Sequence, residues 1–307
     1  DAIKAGAEII KHQTHIPEDE MSLEAKKIIP INANKNIFDL IDDCSLNEIE
    51  EMELKKYIEK KGAIFLSTPF SKKAVDRLVK FKVKAFKIGS GECNNYPLID
   101  YIASFKKPII ISTGMNDIKS IEKAIKILKK RKTQYAILHT TNLYPTKHRE
   151  VRLNALLELK KKFTNTVIGL SDHTGENYTS YAAIAMGASI IEKHFIYDKN
   201  QKFGDHKMSL NPIELINFVE KIRNTEIILG NSKKIVFKEE INLSKIARKG
   251  VYLKNDIKKG KILNFKDIIF LRPQNSKNLF YYKKIIGRKA KKNLVALQSL
   301  NSNDFLK

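Results

Sequence analysis

Seven short β-branched runs recur between Glu8 and Phe195, each separated from the next by an amphipathic helical stretch. The runs are Glu8 to Thr14, Ala63 to Thr68, Ala85 to Ser90, Pro108 to Thr113, Tyr135 to Thr141, Val167 to His173 and Ser189 to Phe195. Helices are predicted at Leu46 to Lys60, Lys72 to Phe81, Ile118 to Lys130, Leu153 to Lys162 and Asn177 to Met186. This alternation specifies βα units and a parallel sheet. A closed parallel barrel uses eight strands, so one strand is unaccounted for. Asp1 to Gly6 reads as the last turns of a helix that ends on a glycine directly before the Glu8 run. The expectation is a (β/α)8 barrel whose first strand, with its loop and part of its helix, is missing by truncation. The alternative is a chain that opens on a helix and forms an open sheet.

Every run finishes on polar residues, among them Lys11-His12-Gln13, Ser67-Thr68, Gly89-Ser90-Gly91-Glu92, Ser112-Thr113-Gly114, Ser171-Asp172-His173 and Glu192-Lys193-His194. The C-terminal strand ends of an α/β barrel and the loops after them build the active site, so these residues converge on one mouth. His173 and His194 close adjacent runs, where their imidazoles can share a divalent metal and leave positions open for water and substrate. Lys11 and Lys87 enter from different strands and suit a phosphate or carboxylate. Gly89, Gly91 and Gly114 permit close backbone approach to such an anion. Glu92 and Asp205, in loops after strands, can handle protons or bind sugar hydroxyls.

The net charge of +23 raises the question of nucleic acid. The lysines fall mostly at solvent-facing positions of helical stretches such as Ile121 to Lys132 and Leu156 to Lys162, so a lysine-coated surface without nucleic-acid binding is expected. No apolar run approaches the roughly 18 residues of a membrane span. Two cysteines, Cys44 and Cys93, are too few for a disulfide framework and suit a reducing cytoplasm. A helix is expected at Asn211 to Leu229, then a polar connector. The expected organisation is a barrel domain at 1–230, a linker at 231–242 and a small β-rich module at 243–307, with a strand-like run at Ile262 to Ile269.

Several strings go beyond generic patterning: Lys11-His12-Gln13-Thr14-His15 with Glu18 to Ser22, Ser67-Thr68-Pro69-Phe70-Ser71, Lys87 to Ile99, Ser112-Thr113-Gly114-Met115, Thr141 to Thr146 and Gly169 to Thr174. Together they resemble the bacterial sialic acid synthase family. The tail, with Asp256-Ile257-Lys258-Lys259-Gly260 and Leu271-Arg272-Pro273, resembles that family's antifreeze-like SAF domain. The resemblance implies a TIM barrel that condenses phosphoenolpyruvate with open-chain N-acetylmannosamine to give N-acetylneuraminate. It implies Mn²⁺, or Mg²⁺ or Co²⁺, on His173 and His194. It implies phosphoenolpyruvate contacts from Lys11, Thr68, Lys87, Ser90, Ser112, Asn142 and Ser171. Gln13, Glu92, Tyr144 and Asp205 would face the sugar, with catalytic roles for Glu92, Asp205 and Lys87. Arg272 would reach the site of a partner subunit in a domain-swapped homodimer. Two departures stand out: the family's Glu-Ile-Gly-x-Asn-His-type first-strand motif has no counterpart, and Phe203-Gly204-Asp205-His206 replaces the usual Gly-Pro-Asp. The rival readings are a legionaminate or pseudaminate synthase of the same family, and an inactive homologue that binds only phosphoenolpyruvate.

Overall fold

The computed structural model describes residues 1–30, 34–201, 205–274, 279–298, 300 and 302–306. The chain forms two compact units, Asp1–Gly230 and Asn231–Lys307.

In the first unit, β1 (Ile9–Thr14), β2 (Ile64–Pro69), β3 (Phe86–Ile88), β4 (Ile109–Ser112), β5 (Tyr135–Thr140), β6 (Val167–Asp172) and β7 (Ile190–Lys193) follow the seven expected runs closely. They pair in sequential order, each parallel to the next. A flat sheet would hold β1 and β7 roughly 29 Å apart, six strand spacings. Yet the Lys11 ammonium on β1 lies 3.6 Å from the Glu192 carboxylate on β7. The sheet is therefore strongly curled, in the manner of a TIM-like barrel. Among the described residues no eighth strand pairs with it, and β1 and β7 are its two edges.

Helices cover the outer face for legible reasons. Ile118–Lys130 buries Ile121, Ala124, Ile125 and Leu128, the i, i+3, i+4, i+7 stripe of an amphipathic helix. Its start is fixed by Asp117, which accepts the Ser120 backbone N–H. Glu48–Lys60 begins with a capping box between Asn47 and Glu50, and Pro212–Leu229 with another between Asn211 and Glu214. At the start of the chain, the Ala7 N–H bonds to Ala2 O and the Gly6 N–H to Ile3 O, with Gly6 at φ +99°. This is the Schellman closure that requires glycine, so the reading of residues 1 to 6 as a helical end holds locally. Phe65, Phe86, Ile88, Ile109, Ile111 and Leu128 are among the fully buried side chains of the core.

In the second unit, β8 (Gly250–Leu253) and β9 (Ile268–Leu271) pair antiparallel over a small core that includes Val251, Leu253, Ile257, Leu263, Leu294 and Phe305. The strand-like run from Ile262 is interrupted because Asn264 and Asp267 cap a short turn at Phe265–Asp267, which delays the strand to Ile268. Lys238–Ala247 is a helix that begins inside the stretch read as a connector, with Glu240 accepting the Phe237 N–H at 2.9 Å. Among the described residues no helix is long and apolar enough to cross a membrane.

Candidate active site

The strand ends gather a charged cradle. Lys87 on β3 is 2% exposed; its ammonium donates to Ser112 Oγ at 2.6 Å and lies 3.5 Å from Glu192 Oε2. Lys11 approaches the other oxygen of Glu192, which also accepts the Ser171 hydroxyl at 2.8 Å. Burial drives the Lys87 pKa down to about 8, opposed by Glu192. For Glu192 burial works upward, but the charges of Lys87 and Lys11 and the Ser171 hydrogen bond prevail, and its carboxyl falls to about 2. An ionised carboxylate thus occupies a position where two ammonium groups and a hydroxyl converge, the chemistry that holds an anion.

The cradle continues onto the next loops. Ser90 Oγ accepts the Gly114 N–H at 3.0 Å, and Asn116 donates to the Ser90 carbonyl. A Cβ on Gly114 would lie 1.9 Å from Asn142 Oδ1 and 3.0 Å from Ser90 Oγ, so only glycine lets these groups meet. Asn142 Oδ1 is buried and, among the described residues, has no hydrogen-bond partner. Thr68 is buried on β2, facing Gly89.

Beside the cradle stand the two histidines, ring centroids 5.2 Å apart. His173 Nδ1 lies 2.9 Å from the Thr141 carbonyl, so that nitrogen carries the proton and Nε2 keeps a lone pair. His194 Nδ1 is 3.3 Å from Asp205 Oδ2. Burial lowers both imidazoles, His194 to about 4 with help from Lys11, so both are neutral near pH 7. Tyr144 packs its ring 4.4 Å from that of His173; burial, then Asp205 and Glu192, push its phenol up to about 12, and it remains a donor. Burial likewise raises Asp205. Phe203 and Gly204, which precede Asp205, lie outside the described residues.

Not every expected residue joins this group. Gln13 is exposed on β1 opposite Thr68. Glu92 lines a separate open cavity of about 490 Å³ with Glu20, Phe70, Asn95 and Tyr101. Arg272 belongs to the second unit, directly after β9. As for a metal, no group of three or more His, Cys, Asp or Glu converges among the described residues. His173 and His194 supply two neutral nitrogens on adjacent strand ends, a donor set that fits an ion with open coordination positions.

The NeuB family profile matches residues 1–234. The chain belongs to the NeuB family. It is 37% identical to the N,N'-diacetyllegionaminic acid synthase of Campylobacter jejuni, over 95% of this chain and 89% of that protein. It is 32% identical to the pseudaminic acid synthase of the same species, over 99% and 90%. A crystal structure of the N-acetylneuraminic acid synthetase of Leptospira borgpetersenii, in complex with citrate, superposes with a TM-score of 0.72 at 30% identity, covering 79% of this chain and 81% of that one.

The sequence placed Glu192 among the strand ends at the mouth of this NeuB-family chain but assigned it no role there. The signal was present, since Glu192 precedes His194 by two residues on one strand end and period-two alternation places both on one face. A second missed group lies on the other face of the sheet. Glu51, fully buried, accepts the Thr14 hydroxyl and pairs with Arg77 at 3.2 Å, with His12 Nε2 at 3.7 Å. This cluster ties β1 to the helices behind it and leaves Lys11 and Gln13 for the opposite face.

Proposed function

We propose that this NeuB-family chain condenses phosphoenolpyruvate with the open-chain form of an N-acetylated aldose and releases phosphate, converting N-acetylmannosamine to N-acetylneuraminate. The observation that carries the reading is the convergence of Lys11 and Lys87 on one carboxylate beside two neutral histidines. It joins an anion cradle to a carbonyl-polarising site. The reading takes the curled sheet as a TIM barrel and the C-terminal unit as a SAF module, with Arg272 serving a second copy's site in a domain-swapped homodimer.

His173 and His194 would hold a divalent ion, Mn²⁺ by preference or else Mg²⁺ or Co²⁺, and the bound ion would polarise the aldehyde oxygen. Lys11 and Lys87, with Thr68, Ser90, Ser112, Asn142 and Ser171, bind the phosphate and carboxylate of phosphoenolpyruvate through charge-assisted hydrogen bonds. The orphaned oxygen of Asn142 marks a place for a group that the protein itself does not supply. The methylene carbon of phosphoenolpyruvate attacks the aldehyde carbon, and the aldehyde oxygen takes a proton, for which Asp205 and the Tyr144 hydroxyl are placed. Water adds to the cationic carbon left behind and gives up a proton. The C–O bond to phosphate then breaks, and the leaving anion departs from the two lysines. Gln13 and Glu92 hydrogen-bond the sugar hydroxyls.

A second reading, a diacetamido sugar leading to a legionaminate, is favoured by the 37% identity over 95% of the chain to the Campylobacter jejuni synthase. Phosphate release with phosphoenolpyruvate and each sugar, followed by mass analysis of the product, separates the two. His173→Ala and His194→Ala should each abolish chelator-sensitive release. A thermal shift with phosphoenolpyruvate but no phosphate release from either sugar would sink the proposal and leave a binding protein.

A further inference from the structure

Thr146 is buried in the loop after β5 and has no place in the reaction above. Both of its donors end on the surroundings of His173. The Thr146 backbone N–H bonds to the His173 carbonyl at 2.9 Å. Its hydroxyl lies 2.8 Å from the Leu143 carbonyl and 3.2 Å from the Thr141 carbonyl, so one hydrogen is shared between two acceptors. The Thr141 carbonyl is the same oxygen that takes the His173 Nδ1 proton at 2.9 Å. One threonine thus holds one histidine twice, its backbone directly and its ring through a carbonyl. The neck of the loop is closed by other bonds: His139 Nε2 donates to the Val151 carbonyl at 2.7 Å, and the Thr141 hydroxyl to the Glu150 carbonyl at 3.1 Å.

What this arrangement controls is the place of one proton. A neutral imidazole carries its hydrogen on either nitrogen, and only the nitrogen without it can hold a metal ion. An acceptor at Nδ1 keeps the hydrogen there and leaves the lone pair on Nε2. The Thr141 carbonyl is that acceptor for His173, and it works only while it points at the ring. It belongs to a loop, whereas the ring belongs to the end of β6, so the two stay aligned only if the loop is tied to the strand end. The Thr146 N–H makes that tie, and the Thr146 hydroxyl fixes the direction of the carbonyl. His194 is supported differently, its Nδ1 facing the Asp205 side chain at 3.3 Å. Resting on the proposed reaction, we infer that Thr146 is a positioning residue: it locks the Thr141 carbonyl against His173, so that the ring keeps its hydrogen on Nδ1 and its lone pair on Nε2 for the divalent ion.

The test uses the full chain and its Thr146→Val and Thr146→Ser variants. Valine keeps the branched shape and the backbone N–H but has no hydroxyl, and serine restores the hydroxyl alone. With ¹⁵N-labelled histidine, long-range proton–nitrogen NMR reads the tautomer of each ring in the metal-free chain, and the His173→Ala spectrum assigns His173 among the seven histidines. His173 is expected as the Nδ1–H form in the unmodified chain and in Thr146→Ser, and as a mixture of both forms in Thr146→Val, with His194 unchanged in all three. A Mn²⁺ titration followed by electron paramagnetic resonance should show affinity about tenfold or more weaker in Thr146→Val and within about threefold of the original in Thr146→Ser. A second measurement needs no variant: in the unmodified chain the Thr146 amide should exchange with solvent about a hundredfold or more slower than an unprotected loop amide. Mixed tautomers in the unmodified chain, a single Nδ1–H form or unchanged Mn²⁺ affinity in Thr146→Val, a serine variant as impaired as the valine one, or a fast-exchanging Thr146 amide each overturns the inference. An unmodified chain that binds no Mn²⁺, while the His173 tautomer still depends on the Thr146 hydroxyl, would instead overturn the metal assignment in the proposed reaction and leave the positioning role standing.

Discussion

Replacing Lys87 by methionine removes a cation that is 2% exposed and leaves the Glu192 carboxylate with Lys11, 3.6 Å away, and the Ser171 hydroxyl. Two separable costs follow. Breaking a buried ion pair from one side destabilises by roughly 3 kcal/mol, the low end of the usual range because Lys11 remains. The double variant Lys87→Met/Glu192→Gln removes both charges, and with no stranded carboxylate it should recover about 2 kcal/mol of that loss. Urea unfolding followed by circular dichroism measures both. The second cost is functional: losing one charge-assisted hydrogen bond, about 1.5 to 3 kcal/mol, raises the KM for phosphoenolpyruvate roughly 10- to 150-fold. The sugar KM should stay within about twofold, because Lys87 points into the anion cradle, against Ser112 and Glu192. Equal destabilisation of the single and double variants would show that Lys87 and Glu192 are not coupled. A parallel rise in both KM values would show that the lysine acts through the fold and not on the anion.

Gly114→Ala places a Cβ 1.9 Å from Asn142 Oδ1, so Asn142 must swing out of the cradle; the phosphoenolpyruvate KM should rise about tenfold with the unfolding midpoint nearly unchanged, and an unaltered KM would remove Asn142 from the site. Because burial holds the Lys87 pKa near 8, the charged form needed for the anion is present below that pH and lost above it. Plotted against pH, kcat/KM for phosphoenolpyruvate should therefore fall about tenfold per unit above pH 8, and a profile level to pH 10 would contradict the assignment. Cys93 is buried with its thiol pushed up to about 12, whereas Cys44 is exposed. Ellman's reagent should titrate one thiol in the native chain and two in urea; two in the native state would mean that the core around Cys93 opens readily.

The strands and the two histidines were legible because each carries its own local signal, a β-branched run that stops on a polar residue. The role of Glu192 was not, since its place at a strand end does not say which charges it meets. What decides its role is the curl of the sheet, which brings β1 and β3 lysines onto β7, a tertiary fact with no counterpart in local pattern. Glu20, buried in the wall of the cavity that holds Glu92, was hidden for a related reason. It ends the acidic run Glu18-Asp19-Glu20 in the four-residue helix Pro17–Glu20, and such runs usually face water. Its burial comes from His15 and from the Phe70 wall, contributed by the loop after β2. Within the second unit, Asn264 defeats the strand reading because a capping interaction competes with the extended backbone.

The alternation of strand side chains also accounts for what holds the histidines at their separation. Ser171 and His173 share one face at the end of β6, and Glu192 and His194 share one face at the end of β7, so Asp172 and Lys193 turn the other way. There Asp172, 2% exposed, accepts the Thr174 N–H at 2.8 Å, the Thr174 hydroxyl at 2.7 Å and the Ser180 hydroxyl at 2.7 Å, and pairs with Lys193 at 3.2 Å. Lys193 in turn donates to the carbonyls of Thr174 and Glu176. A buried pair of this kind contributes little net stability, because desolvation of both charges offsets their attraction. Its effect is geometric. Each member immediately precedes a histidine, and the hydrogen bonds run between the end of β7 and the loop after β6. An apolar pair of the same volume could fill the space but would not fix that register, because dispersion contacts tolerate sliding and hydrogen bonds do not. The residues behind the sheet thus set the spacing of the residues in front of it, and the chemistry proposed for the two histidines requires that spacing.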